Sequence, residues 1–204
     1  MLKIVVLWSI ISNERGDCLS AVKNSEQIYI VVSQTGTVLS RLLKLITHDE
    51  YNHVSIALKR DLALMYSFGR RNPYFPFPGG FVVESWRFGT FKRFVNTKVV
   101  VLALDVDSDD YSKIKSYIHK MVVSPKKYRY NYIGLCLAAF EISYRGQNSF
   151  YCSEFVKQVL DVGDVGIASN FSKVMRPEDF LSLPNADCIY KGNLKDYSKC
   201  FEGE

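Results

Sequence analysis

Residues 148–160 read Asn148-Ser149-Phe150-Tyr151-Cys152-Ser153-Glu154-Phe155-Val156-Lys157-Gln158-Val159-Leu160. The apolar residues after the cysteine recur at helical spacing, and this pattern predicts an amphipathic helix with one buried face. Asn148 or Ser149 is expected to cap that helix by accepting hydrogen bonds from its first free amides. Cys152 then falls in the first turn of the helix, and the rest of the chain can be interpreted around it.

The predicted position of Cys152 favours chemistry at its thiol. A thiol at a helix N-terminus lies among unpaired N–H groups and at the positive end of the helix dipole. That environment stabilises the thiolate, which is the reactive form of cysteine. Cys152 is therefore a candidate nucleophile. The alternative is a purely structural role, because free cysteine is among the most frequently buried residue types.

The overall composition is that of an ordinary globular protein. The 204 residues are 48% hydrophobic and 23% charged, so a single domain spanning 1–204 is long enough to bury a substantial core. Basic residues number 26 and acidic residues 21, which leaves a net charge of +5. The basic residues are scattered and form no stripe, so we expect no nucleic-acid partner. The charge permits binding to an anionic membrane surface but does not indicate it.

Cysteines and histidines are too few and too dispersed to form a metal site or a disulfide framework. The five cysteines, at positions 18, 136, 152, 188 and 200, include no CxxC pair, which argues against both. The three dispersed histidines offer no close pair of ligands, so we expect no metal. The glycines form neither a phosphate loop nor a dinucleotide fingerprint, so we expect no cofactor. The apolar segment 1–11 is too short to span a bilayer and lacks a cleavage pattern, so a buried strand and a cytoplasmic location are expected.

The remaining chain predicts a mixture of strands and helices. The segment 72–80, rich in aromatic residues, proline and glycine, is expected to be a loop that is either a substrate-facing flap or a cover for a core edge. Strands are indicated at 27–33, 51–58, 64–69, 81–85 and 98–104, with 51–58 and 64–69 forming an antiparallel hairpin. Helices are indicated at 37–47, from Ser108 to Val122, in the apolar run up to Phe140 and at 176–180, before a polar tail from Lys191. In the second of these helices, Ile114, Ile118, Met121 and Val122 are expected to face the core.

His53 is the histidine best placed to meet a thiolate. Polar and apolar residues alternate through 51–58, which puts His53, Ser55 and Ala57 on one face of a strand. The small residues leave room beside the imidazole. A thiolate–imidazolium pair needs a rigid imidazole and an acceptor on its other ring nitrogen. The alternative is a core histidine with satisfied hydrogen bonds. His119 is expected to be solvated, and His48 is expected to lie at a helix end.

Two boxes in the sequence carry a resemblance to a known family. Tyr51-Asn52-His53-Val54-Ser55-Ile56 resembles the pattern [YS]-x-H-[VS]-[GS]-I, and Phe150-Tyr151-Cys152-Ser153-Glu154-Phe155-Val156 resembles [FY]-x-C-S-E-[FL]-V. Both patterns belong to the circularly permuted NlpC/P60 papain-like superfamily, in which the histidine precedes the cysteine, as it does here. The chain is most similar to the YiiX/YaeF-like branch, which is more distantly related to the lecithin-retinol acyltransferase group.

The resemblance extends from about Ile28 to Pro177 and includes Tyr130-Asn131-Tyr132. It implies an α+β fold, with an antiparallel β-sheet or partial barrel packed against helices that include the cysteine helix. It also implies that Cys152 is the nucleophile and that His53 is the general base, which later protonates the leaving group.

The resemblance further implies a third polar residue that orients the histidine. Glu84 matches the pattern of the family's strand, although it lies beyond the aromatic loop. The strand adjacent to the histidine strand offers only Tyr66 and Ser67, and a Ser67 hydroxyl or a backbone carbonyl is the alternative orienting group. The oxyanion would be met by the Cys152 amide together with a hydroxyl of Tyr130 or Tyr132.

The leading hypothesis is a thiol hydrolase that cleaves an amide or ester bond through an acyl-enzyme. A peptide, an N-acyl compound or a lipid-like small molecule would be the substrate, and the aromatic loop 74–77 suits an apolar group. One alternative is an acyltransferase with a lipid or amine acceptor. The other is a non-catalytic binding module on the same fold.

Overall fold

The computed structural model describes residues 25–34, 49–72, 74–75, 77–94, 96–138, 140–165 and 174–199. The strand expected at 1–11, the helix expected at 37–47, and His48, Cys18 and Cys200 lie outside these residues.

The strands are β1 (Ser25–Gln34), β2 (His53–Ala57), β3 (Met65–Arg70), β4 (Gly79–Glu84), β5 (Lys98–Asp107), β6 (Arg129–Tyr130), β7 (Ser149–Phe150) and β8 (Ala186–Asn193). The helices are α1 (Gly89–Arg93), α2 (Ser108–Val123), α3 (Tyr132–Ala138), α4 (Cys152–Val162) and α5 (Leu194–Ser198), with 3-10 turns at Pro125–Lys127 and Pro177–Ser182.

The described strands form one mixed sheet in the order β7-β6-β4-β3-β2-β1-β5-β8. Neighbouring strands are antiparallel except β6 and β7, which are parallel. The expected hairpin of β2 and β3 is confirmed, with Ile56 opposite Tyr66 and Ala57 opposite Met65. The fold is therefore α+β, with helices packed against an eight-stranded sheet.

Alternation along the strands gives the sheet two buried faces. One face carries Val54 and Ile56 and packs against α2 and α4. The other carries Ala57 and Met65 and packs with Phe91 of α1 and with α5. The face of α4 expected to be apolar is confirmed, since its four residues are fully or almost fully buried: Phe155, Val156, Val159 and Leu160. The cysteine helix is thus anchored to the sheet by the burial of aliphatic and aromatic side chains.

Three details of the predicted elements are wrong. Val122, expected to face the core, is exposed, whereas its expected partners Ile114, Ile118 and Met121 are buried. Gly79 and Gly80, expected in the loop, belong to β4, because they pair with β3. The polar tail expected from Lys191 is instead the end of β8 followed by α5. β8 pairs along β5, and the buried side chains of Leu194 and Tyr197 hold α5 against the sheet.

Candidate active site

His53 and Glu84 form an ion pair at one face of the sheet. Both oxygens of the Glu84 carboxylate lie 3.0 Å from Nε2 of His53. Each of the two side chains is only 12% exposed. His53 begins β2 and Glu84 ends β4, so the rigid strands fix both groups. The structure therefore brings to His53 the residue that the sequence resemblance suggested as its orienting group.

The pair forms across an intervening strand, since β3 lies between β2 and β4. The β3 residue beneath the pair is Gly69. A Cβ placed on Gly69 would lie 3.7 Å from Oε1 of Glu84 and 3.8 Å from Cε1 of His53. These are ordinary van der Waals distances, so a methyl group would fit there but a larger side chain would occupy the space of the ion pair. Gly69 thus keeps β3 clear for the two side chains to meet.

Ser55 fixes the carboxylate from the same face. Its hydroxyl donates a hydrogen bond to Oε2 of Glu84 at 2.6 Å and lies 3.4 Å from Nε2 of His53. The Ser55 side chain is fully buried, so this charge-assisted hydrogen bond is shielded from water. The sequence predicts Ser55 only as a small residue beside His53. Its position two residues along the same strand face was the available signal of contact.

Cys152 meets the other side of the imidazole. It is the first residue of α4, is 4% exposed, and lies within hydrogen-bonding reach of the His53 side chain. Because Nε2 faces Glu84, Nδ1 is the ring nitrogen left for the sulfur. The thiol also lies among the free amides at the start of α4, where the helix dipole favours negative charge.

The surroundings of His53 favour its protonated form. Burial lowers the pKa of His53, but the Glu84 carboxylate and the hydrogen bond to Cys152 outweigh burial and raise it to about 10. At neutral pH the imidazole is therefore a cation between the carboxylate and the sulfur. This arrangement can hold a thiolate and can later deliver a proton to a group leaving from the adjacent carbon.

Of the two tyrosines expected near the oxyanion, the structure brings only Tyr130 to the site. Tyr130 is almost fully buried, and its pKa is raised by burial and then by the neighbouring Cys152. Tyr132 packs against Tyr130 with ring centroids 4.7 Å apart. Its hydroxyl accepts a hydrogen bond from the backbone of Gly79, which directs it toward the start of β4.

Tyr66 and Ser67 have structural surroundings away from the imidazole. Ser67 donates its hydroxyl proton to the carbonyl oxygen of Val54 at 2.7 Å in a buried bond across β2 and β3. Tyr66 stacks on Phe81 on the opposite face of the sheet. The structure thus brings Glu84, and not Ser67, to Nε2 of His53.

Asn131 and Glu154 hold the start of the cysteine helix. Glu154 accepts a hydrogen bond from the backbone N–H of Tyr151 at 3.4 Å, and Asn131 Nδ2 donates to the same oxygen, Oε2, at 3.3 Å. Asn131 Oδ1 also accepts from the N–H of Gly134 at 2.8 Å, which joins the starts of α3 and α4. Sequence reasoning missed this role, although a Glu at the third position of a helix is a recognised capping signal.

The expected cap at Asn148 or Ser149 was wrong. The residue that precedes the helix is Tyr151. Ser149 belongs to β7, which pairs with β6, and Asn148 has a positive φ of 52°. Pairing with β6 therefore delays the helix to Cys152, so that the thiol is on the first helical residue.

A narrow cleft of about 40 Å³ opens beside Cys152. Its walls are mostly apolar, with Leu135 and Ala138 of α3 on one side and Met175 and Pro177 on another. Arg176 and Asp49 lie at the polar part of the cleft and form an ion pair with an N–O distance of 3.6 Å. An acyl group could approach the sulfur along this cleft.

Neither a metal site nor a membrane span is found among the described residues. No group of three or more His, Cys, Asp and Glu side chains is arranged there to hold a metal ion. Within the same ranges, no helix combines the length and apolarity needed to cross a bilayer.

No protein-family profile matches the chain, and a search of curated proteins finds no match.

Proposed function

We propose that the chain is a thiol hydrolase in which Cys152, His53 and Glu84 act together. The observation that supports this most directly is the position of His53 between a carboxylate and a buried thiol at a helix start. We also propose that the fold is of the circularly permuted NlpC/P60 papain-like type. The order of His53, Glu84 and Cys152 along the chain and the packing of α4 on the sheet support this.

The first half of the reaction makes a thioester. The Cys152 thiolate attacks the carbonyl carbon of an amide or ester, a C–S bond forms, and the carbonyl electron pair moves to the oxygen. The N–H of Cys152 is free at the helix start and meets this oxyanion. Tyr130 is a second donor, because burial raises its pKa and keeps its hydroxyl protonated. As the C–N or C–O bond breaks, His53 donates its proton to the leaving nitrogen or oxygen.

The second half of the reaction hydrolyses the thioester. Neutral His53 accepts a proton from water, and the oxygen of that water attacks the acyl carbon. The C–S bond then breaks, a carboxylic acid leaves, and the thiolate is again paired with the imidazolium. Glu84 keeps the ring oriented and stabilises its positive charge throughout both steps.

Acyl-enzyme formation with p-nitrophenyl acetate tests the proposal. We expect a burst of p-nitrophenol followed by turnover, and an acetyl group on the peptide that contains Cys152. Cys152→Ser should remove the burst and the turnover. His53→Ala should slow turnover by about 10²- to 10⁴-fold, the usual contribution of a general acid–base group.

The exposed thiols of Cys136 and Cys188 provide matched controls. Cys136→Ser and Cys188→Ser should retain the burst and the turnover of the wild-type chain. Acetylation of Cys152 no faster than that of Cys136, and unchanged by His53→Ala, would contradict the proposal and favour a non-catalytic binding module.

A further inference from the structure

The helix α3 presents an apolar stripe to solvent. It contains no charged residue, and its outward positions recur at helical spacing through Ile133, Cys136, Leu137 and Phe140. Ile133 is 62% exposed and Phe140, just beyond the helix, is 73% exposed. A surface helix normally carries polar residues on its solvent side, so this stripe requires an explanation other than folding of the core.

The aromatic loop before β4 continues the apolar surface. Phe75 and Phe77 are each 63% exposed, so most of the surface of both side chains is accessible to solvent. The ring of Phe77 lies 4.8 Å from that of Tyr132 at the start of α3, which joins the loop to the helix. We call Phe75, Phe77, Ile133 and Phe140 the apolar face. Exposed apolar side chains clustered in this way mark interaction sites.

The segments that carry the apolar face are strongly basic. Residues 70–78 and 125–147 contain a single acidic residue, Glu141, and six basic ones: Arg70, Arg71, Lys126, Lys127, Arg129 and Arg145. Arg71 ties the two segments together, because its guanidinium donates to the carbonyl oxygens of Pro125 and Tyr128 at 2.8 Å. Arg70 has a buried guanidinium nitrogen, but the other five basic residues are exposed. Exposed apolar side chains flanked along the chain by exposed cations are suited to a surface that is apolar within and negatively charged at its boundary.

We infer that the apolar face and the basic residues around it bind the surface of an anionic phospholipid bilayer. The apolar side chains would enter the region between head groups and acyl chains, and the cations would lie at the phosphate level. Leu135 and Ala138 line the cleft beside Cys152 from the inner side of α3. Docking would therefore place that cleft close to the lipid boundary. The inference goes beyond the proposed function and does not depend on turnover.

Vesicle sedimentation with the full chain tests the inference. Cys152→Ala is used throughout, so that binding is measured without chemistry at the thiol. We expect the chain to sediment with phosphatidylcholine vesicles that contain phosphatidylserine, and about tenfold or more weakly with phosphatidylcholine alone or at high salt, where the attraction of basic residues is lost.

Paired substitutions separate the apolar face from general charge. Phe75→Ser together with Phe140→Ser should reduce binding by about tenfold or more, because both apolar anchors are lost while the net charge is unchanged. Leu64→Ser, which also leaves the net charge unchanged, is the control away from this face. Leu64 is also exposed, but it lies at the opposite end of β3 from the aromatic loop. The Leu64 variant should therefore bind vesicles as the unsubstituted chain does.

Three results would overturn the inference. The first is no sedimentation with anionic vesicles at low salt. The second is equal binding by the Phe75/Phe140 and Leu64 variants, which would leave only non-specific charge attraction. The third is dimerisation without vesicle binding, abolished by the same pair of substitutions, which would make the face a contact between two copies. None of these results bears on acylation of Cys152, so the two proposals fail separately.

Discussion

Replacing Glu84 by Gln should move the pKa of His53 across neutral pH. The substitution keeps the shape of the side chain and removes its charge. For charges 3.0 Å apart, an effective dielectric constant of about 20 gives an interaction of about 5 kcal/mol, which corresponds to a pKa change of about 4. This is comparable with the rise from 6.5 to about 10. The pKa of about 10 already reflects the lowering by burial, so losing the carboxylate charge should leave a pKa of about 6 in Glu84→Gln.

Proton–carbon correlation NMR of the histidine Cε1–H groups measures this change. Spectra recorded from about pH 5 to pH 10 span both the raised and the ordinary histidine pKa. His53→Ala identifies the signal. In the wild type, the His53 signal should stay at its protonated position throughout the neutral range. In Glu84→Gln it should shift with a midpoint at about pH 6. Glu50→Gln, which removes an exposed carboxylate, should leave the signal as in the wild type.

Two outcomes would refute this reasoning about charge. One is a wild-type His53 signal that titrates near the ordinary value of about 6.5, which would mean that the carboxylate does not hold the imidazolium. The other is a midpoint that stays high in Glu84→Gln, which would mean that another group supplies the stabilisation.

Two further perturbations test the same site from different directions. Gly69→Ala should retain the ion pair and acylation of Cys152, because its Cβ would make only van der Waals contacts. Gly69→Leu should separate His53 from Glu84 and abolish the burst with p-nitrophenyl acetate. Equal bursts in the two variants would show that the space over β3 is not needed. Stability should also depend on pH. The folded-state pKa of His53, about 10, lies above the unfolded value of about 6.5, so the folded chain binds more protons between these values and the stabilisation is lost as pH rises through about 10. Urea denaturation should therefore show the free energy of unfolding of the wild type falling, relative to Glu84→Gln, by roughly 1 kcal/mol per pH unit in that window, and parallel curves for the two chains would contradict the assigned pKa.

Much of the scaffold of the site could be predicted from periodicity. Alternation through 51–58 correctly placed His53, Ser55 and Ala57 on one face of β2, where His53 and Ser55 both contact Glu84 and Ala57 is buried, because side-chain direction in a strand is a local property. The helical spacing after Cys152 likewise gave the correct buried face of α4. In both cases the hydrophobic pattern indicates which face of the strand or helix is buried, and this can be predicted without knowing the tertiary contacts.

The contacts across the sheet could not be predicted in the same way. Choosing between Glu84 and Ser67 depended on two facts outside local sequence. One is that Ser67 donates to the backbone of Val54. The other is that Gly69 lets Glu84 reach over β3. Such contacts depend on strand order and register, which a hydrophobic pattern does not specify.

The cap of α4 depended on a distant pairing as well. Asn148 and Ser149 have side chains suited to capping, but the pairing of β7 with β6 commits Ser149 to a strand. Asn131 donates a hydrogen bond to Glu154 at the helix start, although the two residues are 23 positions apart in the chain. Tertiary context therefore decided both where the helix begins and which side chain supports it.

The position of Gly69 under the ion pair also makes the site sensitive to errors in strand register during folding. His53 and Glu84 lie on strands that do not hydrogen-bond to each other, and their meeting depends on which residue of β3 lies between them. A slip of β3 by one position would bring Phe68 or Arg70 to the place of Gly69 and would turn its side chain onto that face. A misregistered chain could then bury a core of similar composition without bringing the imidazole and the carboxylate together. The fraction of His53 that titrates at high pH would therefore measure the fraction of correctly paired molecules in a refolded sample, and a compact population with the wrong register would lack this titration.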